Sequence, residues 1–522
     1  MTFKIAALLN KSEREGPTMD AIRARLAECA PDCELETFVA TDPAFTQQVM
    51  RYRPQVLLSY PYTARTCSVR SYLFKHILGC FNVCLRTEGQ LDYRHGNKNT
   101  WLVGLEPYGP DFVDYELFWS RRIAQMTGEE LVRCGKLSSA ERIRVFGYPP
   151  YEVYFRPWDD AEDTMPAAYR ERMDATPRER VVTFITNFCF ADYSAEDIVR
   201  AGDLVDASAP DAQQEVVAGI NGARRCAVFR QKWIDNILRT AYRNPDALVV
   251  VKSHPVEHII FDRKRHNPYK DAFSRLPNIL YIREPVRIAD LLRRTGLFFH
   301  YGSTCLAESY LLGIPSVFVT SEELYGEGKN PTNPNFYFHD SGWESSARAD
   351  IDDVSALVTQ HLREPLAFTM RPHMRRVLLD VFNIDDGHLR GAKAYEPSLE
   401  IARFLAGLAQ DAPQKLRDDD PYVLNALDKA GLSVLDAMIA SGVAVMQAGD
   451  HGAALRELNE AHALSRRLDV DLRDLDHLRV ICMSSLGMVQ QAQRLVDAME
   501  DSAEGKRLSA RIAMPPSQGG PS

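Results

Sequence analysis

The sequence predicts an α/β fold of two Rossmann-like domains facing across a cleft, followed by a small all-α module. Three observations predict it. Short apolar runs fit for buried parallel strands alternate with amphipathic stretches, and the alternation starts afresh after a polar, Pro- and Asp-rich passage at 156–180. At 522 residues the chain exceeds what one core usually serves, so two or three domains are expected. Past residue 430 the pattern turns wholly helical. The expected boundaries are 1–155 for the first domain, 156–410 for the second, 411–430 for a linker, 431–503 for helical repeats and 504–522 for a disordered tail.

In the first domain, residues 3–9 read as a strand, and 18–29 carry Met19, Ile22 and Leu26 at helical spacing. Strands are expected at 56–60, 81–85, 115–119 and 143–146, with helices at 69–78 and 129–134. Gly147-Tyr-Pro149-Pro150 marks the exit. The second domain opens with a strand at 181–186, then a long helical stretch at 212–242 whose inward positions are Val216, Ile220, Val228, Trp233, Ile237 and Leu238. Strands follow at 247–252, 279–282, 297–301 and 316–319, with closing helices at 354–362 and 396–408. In the C-terminal part, Gly449 and Ala454 recur as Gly487 and Ala492, and Leu458 and Ala461 are answered by Val496 and Met499. That offset of 38 residues reads as two degenerate tetratricopeptide-like helix pairs. Two repeats are too few to stand alone, so they should pack on the body of the protein, on a partner protein or on a second copy.

A formal charge of −9 with no long basic tract excludes a nucleic-acid binder. Ten cysteines are scattered without a paired metal spacing, which fits a reduced, cytoplasmic chain. The first ten residues make a short strand rather than a signal peptide, and no stretch approaches the ~18 to 20 apolar residues of a membrane span. Membrane contact is expected to be peripheral at most, at the inner face.

The chemistry concentrates at strand ends. Gly302-Ser303-Thr304 breaks an apolar run, and a helix capped by Ser303 or Thr304 should follow until Gly313 and Pro315 stop it. Its free backbone N–H groups suit a phosphate. Lys252-Ser253-His254-Pro255 follows another strand, and Thr87-Glu88-Gly89 follows a strand of the first domain. In open parallel sheets, ligands sit on this carboxyl edge. Transfer of a sugar from a nucleotide needs a base for the acceptor hydroxyl, for which Glu88 is the candidate. It also needs donors for the leaving phosphate, which Ser303, Thr304 and His254 can supply. Lys252 either adds charge or points away along its strand; Glu308 either bonds a ribose or cytosine group or stays exposed on its helix.

These motifs resemble the three motifs of bacterial sialyltransferases built on two Rossmann domains, and similar His-Pro sites occur in bacterial Kdo transferases. The wider run is similar to bacterial surface carbohydrate biosynthesis proteins through Leu85 to Gly89, Leu117 to Ser120, Val145 to Pro149, Phe184 to Phe188, Lys252 to Pro255, Ser303 to Glu308 and Asp386-Gly387, collinear over roughly 80–390. The resemblance implies a GT-B glycosyltransferase that uses a CMP-activated acidic sugar (sialic acid, pseudaminic acid or Kdo) and a glycan, lipopolysaccharide or protein acceptor, without metal or other cofactor. Carried over, it implies that His254 contacts the CMP phosphate and acts as acid, that Ser303 and Thr304 hold the phosphate and that Glu88 is the base; the candidate donor site also takes in Thr186, Asn187, Lys252, Pro255 and Glu308, which lie at or near strand ends. The motif's first acidic position is Thr87 here, so either Glu88 or a neighbouring acid such as Asp92 serves as base.

Other residues read as structural: Trp119-Ser-Arg121-Arg122 as an aromatic strand end with a solvated arginine pair, Asp385-Asp386-Gly387 as a tight turn, and His258 and His266 as loop residues without metal partners. Competing readings are a CDP-glycerol or polyol-phosphate transferase, a UDP-sugar epimerase of the same architecture, and an inert scaffold that binds proteins through its repeats.

Overall fold

The computed structural model describes residues 2–9, 12–60, 68–86, 112–189, 191–194, 196–197, 212–325, 345–413, 416–417, 419–470 and 473–499. Among them the chain forms two compact units, each built on a six-stranded sheet in which all neighbouring strands run parallel. The fold is the expected α/β pair of Rossmann-like domains, GT-B-like, with a helical C-terminal region.

The first unit holds β1 (Phe3–Leu9), β2 (Cys33–Val39), β3 (Val56–Ser59), β4 (Phe81–Leu85), β5 (Tyr115–Phe118) and β6 (Ile143–Val145), in the order β2-β1-β3-β4-β5-β6. Alternate side chains of β1 feed two cores, as the period of a strand dictates. Ile5, Ala7 and Leu9 pack with Met19 and Leu26, while Ala6 and Leu8 face Phe45, Tyr72 and Leu73. Two buried ion pairs brace the sheet: Lys75 with Asp114 at 2.8 Å, and Arg86 bidentate on Glu116 at 2.7 and 2.8 Å.

Two expectations change here. Helix Pro397–Gly407, assigned to the second domain, packs on the first sheet, because its apolar face of Ile401, Ala402 and Leu405 completes the core around Ile5 and Leu58. The linker is shorter than 411–430, since helix Pro421–Gln447 starts at an Asp420 cap whose Oδ1 accepts from Tyr422 N at 2.8 Å. The helical region packs on the body, the first of the expected alternatives: Val434, Leu435, Met438 and Leu458 share one core with Leu8, Phe45 and Tyr72. Tyr72 stacks between Phe112 (4.0 Å) and Tyr422 (5.9 Å), and Arg53 forks onto Glu460 at 2.8 Å.

Helix Pro421–Gln447 is, against expectation, long and apolar enough by composition to cross a membrane. Val423, Val434, Leu435 and Met438 pack on helices Phe45–Tyr52 and Ser68–Leu78, while Leu424 and Leu432 are exposed. Helices His451–Arg467, Arg473–Ser485 and Val489–Ala498 follow. The repeat seen in the sequence marks two helix corners. Gly449 (φ +88°) and Gly487 (φ +74°) turn the chain in the left-handed region, and Ala454 and Ala492 are fully buried one turn later.

The second unit holds β7 (Val181–Ile185), β8 (Leu248–Lys252), β9 (Ile279–Ile282), β10 (Leu297–His300), β11 (Ser316–Thr320) and β12 (Ala347–Asp350), in the order β12-β11-β10-β7-β8-β9. Counted within the unit this is the doubly wound order 3-2-1-4-5-6. Strand order therefore reverses between β7 and β10. The Trp233 face of the long helix Ala212–Arg243 packs on Phe184 and Phe299, which stack at 4.6 Å across those two strands.

Candidate active site

The strand order of the second unit reverses between β7 and β10, with β8 beside β7, and the carboxyl ends at such a point are where open α/β sheets bind ligands. Parallel neighbours lie ~4.8 Å apart, so the loops after β8 and β10 flank a gap of about 10 Å with the β7 loop between them. Of the expected residues, Lys252 ends β8, Thr186, Asn187, His254, Ser303 and Thr304 lie in the loops that follow, and Pro255 begins a helix, so these residues share one sheet edge.

After β7, buried Thr186 donates its hydroxyl to Glu257, and Phe188 N donates to Glu257 Oε1 at 3.1 Å. Asn187 N donates to the Tyr301 hydroxyl, which ties this loop to the one after β10. Cys189 donates to Asn187 Oδ1 at 3.0 Å and lies 3.7 Å from His254 Nδ1. Burial pushes the Cys189 thiol far up, so it is no nucleophile.

After β8, helix Pro255–Lys264 is capped by His254, whose Nδ1 accepts from Val256 N at 3.2 Å. That bond fixes the tautomer. With Nδ1 as acceptor, the neutral ring carries its proton on Nε2 and offers one N–H donor. Pro255 sits exposed at the first helical position, where its fixed φ starts the helix. Glu257, at the third, returns a bond to His254 N at 3.0 Å and closes a capping box. Ser253 is buried and bonded to His258 Nε2 and the Tyr281 hydroxyl, each at 3.1 Å. Burial, followed by the charges of Lys252 and Arg283, holds His258 down at about 4.

Lys252 is the electrostatic centre of the edge. It is 5% exposed, and its Nζ donates to Ser253 O at 2.9 Å. Among the described residues it forms no ion pair. Burial lowers its pKa, opposed by Cys305, Glu257 and Glu284, so its charge lies near the start of the helix after β10. A buried ammonium without a carboxylate costs several kcal/mol, of order, unless something neutralises it.

After β10, Gly302 takes φ +111°, a conformation that a side chain would oppose. His300 is buried and neutral, held down at about 3 by desolvation. Its Nδ1 accepts from Gly302 N at 3.3 Å, which leaves Nε2–H for Ser345 Oγ at 2.9 Å. Ser303 Oγ accepts from Cys305 N at 3.3 Å and so provides the cap; Thr304 has helical backbone angles and no side-chain cap bond. Helix Cys305–Leu311 is only seven residues long, so its dipole is a minor contributor beside the Lys252 charge.

Glu308 resolves differently from either sequence expectation. It is turned inward to accept from the Tyr154 hydroxyl, and burial pushes its carboxyl up to about 7. Tyr151, on the same short 3-10 segment, reaches Thr304 O at 3.5 Å. Glu88, with Thr87 and Asp92, lies outside the described residues. Of the remainder, Trp119 is buried against Tyr148 and His266 pairs with Asp271 at 3.4 Å on the surface, but the expected tight turn at 385–387 is the start of helix Asp386–Leu389, capped by Asp385, and His258 lies in helix Pro255–Lys264 rather than in a loop. No group of three or more metal-ligating side chains occurs among the described residues.

No protein-family model and no curated protein matches the chain. Solved structures similar to it include the UDP-GlcNAc 2-epimerase of Neisseria meningitidis bound to UDP-GlcNAc, at 10% identity and TM-score 0.42, covering 78% of this chain and 100% of that one. The UDP-GlcNAc 2-epimerase of Methanocaldococcus jannaschii gives 11% identity and TM-score 0.42 over the same shares. The Anabaena protein Alr3699/HepE, solved with UDP and glucose, gives 11% identity and TM-score 0.41, again covering 78% and 100%. Likeness of this degree assigns neither activity nor substrate.

Four residues of this edge escaped the sequence reading: Tyr154, Glu257, Tyr269 and Tyr301. Glu257 had a signal, since His-Pro-x-Glu follows the spacing of a capping box. The three tyrosines had none, because their hydroxyls meet their partners only through the fold.

Proposed function

We propose that the chain is a metal-independent glycosyltransferase that moves an acidic nonulosonic or ulosonic sugar from a CMP donor to a surface glycan, lipopolysaccharide or protein acceptor. The observation that carries the reading is Lys252, a buried cation without a carboxylate partner among the described residues, at the carboxyl end of β8 beside the reversal point of the second sheet. Such a cation suits an anionic ligand. The resemblance of the collinear motifs supplies the kind of anion, a CMP phosphate.

In the proposed reaction an acceptor hydroxyl loses its proton to a carboxylate, assigned to Glu88 by resemblance. The acceptor oxygen then bonds the anomeric carbon as the bond from that carbon to the phosphate oxygen breaks, and the electron pair leaves on CMP. The His254 Nε2–H, the Lys252 ammonium and the Ser303 and Thr304 hydroxyls meet the charge that develops on the phosphate. Thr186 and Asn187 line the middle loop.

A thermal-shift screen of CMP, CDP, UDP and GDP tests the donor. The reading expects CMP to stabilise most and His254→Ala to abolish both that shift and transfer. A preference for CDP points instead to a polyol-phosphate transferase and a preference for UDP to UDP-sugar chemistry. No response to any of them, with the C-terminal helices binding a protein, leaves an inert scaffold.

A further inference from the structure

Glu257 is 1% exposed and its carboxylate is fully used. Oε2 accepts from the Thr186 hydroxyl and from His254 N at 3.0 Å; Oε1 accepts from Phe188 N at 3.1 Å and from the Tyr269 hydroxyl at 2.6 Å. A carboxylate has about four lone-pair sites, and all four are taken. Burial raises the Glu257 pKa, and the four donors oppose that rise. Three of the donors belong to the candidate site. Two lie on the loop after β7 and one begins the His-Pro helix after β8, so this one carboxylate bonds both loops.

From this geometry we infer that Glu257 is a positioning residue: it ties the β7 loop to the His254 cap and so sets the spacing of the groups that face a bound phosphate. The inference rests on the donor-site reading given above. It belongs to this carboxylate and not to any residue of its size, because each oxygen faces one backbone N–H, which can only donate. In Glu257→Gln the amide NH2 must turn toward either Phe188 N or His254 N. Whichever way it turns, two donors oppose each other and one buried N–H is left unmet. A hydroxyl could rotate to accommodate the amide; a backbone N–H cannot.

The test compares three substitutions in the full chain, with CMP as the titrated probe and amide hydrogen exchange of the ligand-free protein as a second readout. Glu257→Gln is expected to weaken CMP binding at least tenfold and to speed exchange at Phe188 and His254. Thr186→Val, which removes one bond on the site side of the same carboxylate, is expected to weaken CMP binding by several-fold. Tyr269→Phe also removes one bond to that carboxylate but leaves both loops tied; it is expected to lower the melting temperature while keeping wild-type affinity for CMP. Rescue marks the role as well, since Glu257→Asp keeps two acceptor oxygens and should exceed Glu257→Gln in affinity. The inference is overturned if Tyr269→Phe loses as much affinity as Thr186→Val, or if Glu257→Gln leaves exchange at Phe188 and His254 unchanged. Should Glu257→Gln fail to fold, the contrast between Thr186→Val and Tyr269→Phe decides. A wild-type chain that ignores CMP, yet whose Glu257→Gln form exchanges faster at both amides, rejects the donor reading and keeps the positioning role. Normal CMP binding with unchanged exchange rejects the positioning role alone.

Discussion

Lys252→Met should make the ligand-free protein more stable and its ligand binding worse. The two side chains are alike in length, so the substitution removes charge with little change in packing. Taking an ammonium out of water costs several kcal/mol, of order, even after relaxation. Against this stands the loss of one hydrogen bond to Ser253 O (2.9 Å), worth about 1.5 kcal/mol or somewhat more for a charged donor. The balance favours the variant by about 1 kcal/mol, a rise of roughly 2–4 °C in melting temperature for a unit of this size. The binding term has the opposite sign. A charge-assisted bond to a phosphate is worth about 1.5–3 kcal/mol, so CMP should bind roughly 10- to 150-fold more weakly. The pH dependence follows from the lowered pKa of Lys252. Between that lowered value and the unfolded value of about 10.4 the unfolded chain binds the extra proton, so wild-type stability rises with pH over that interval and the variant lacks this rise. Calorimetric titration with CMP, beside thermal melts across the alkaline range, measures both signs. A variant that melts lower than wild type and binds CMP equally well would show that Lys252 is a structural cation.

Two further outcomes follow from the packing. Ending the chain at Leu432 removes Val434, Leu435, Met438, Leu455 and Leu458 from the core they share with Leu8 and Tyr72. At about 1.5–3 kcal/mol for each buried side chain the gross loss matches the ~5–15 kcal/mol stability of a whole domain, so the shortened chain should be insoluble; a soluble product that melts cooperatively would show that the first unit folds without these helices. The Glu308 carboxyl, raised to about 7, gives a second pH signature. Between about 4.3, its unfolded value, and about 7 the folded chain binds the extra proton, so stability falls as pH rises through this interval. Glu308→Gln should remove that fall, and melts of both proteins at pH values on either side of the interval check it: an equal difference at both ends would contradict the assignment.

Much of this architecture is written in local pattern. The strands β1, β3, β4, β7, β8 and β10 are continuous apolar runs because both faces of their sheets are covered, and such runs stand out in a sequence. Two of the four edge strands do not. β2 (Cys-Glu-Leu-Glu-Thr-Phe-Val) alternates between buried and exposed positions, and β12 (Ala-Arg-Ala-Asp) is polar, so neither was anticipated. Domain membership of helix Pro397–Gly407 was equally invisible, because its apolar face fits any core and only the tertiary path shows that it returns to Ile5 and Leu58. At the site, strand ends placed Thr186, Lys252, His254 and Ser303 on one edge, as the sheet rule requires. Which of them are already engaged depended on three-dimensional partners: Glu308 is taken by Tyr154, and His254 Nδ1 by its own helix.

The claim on which the account rests is that the carboxyl edge of β8, β7 and β10 receives the phosphate of a CMP-linked sugar. A crystal structure of the chain soaked or grown with CMP tests it most directly. The account predicts the phosphate within hydrogen-bonding distance of Lys252 Nζ and His254 Nε2, with Ser303 on its far side. A nucleotide bound elsewhere, or this edge left empty at saturating CMP, would contradict it.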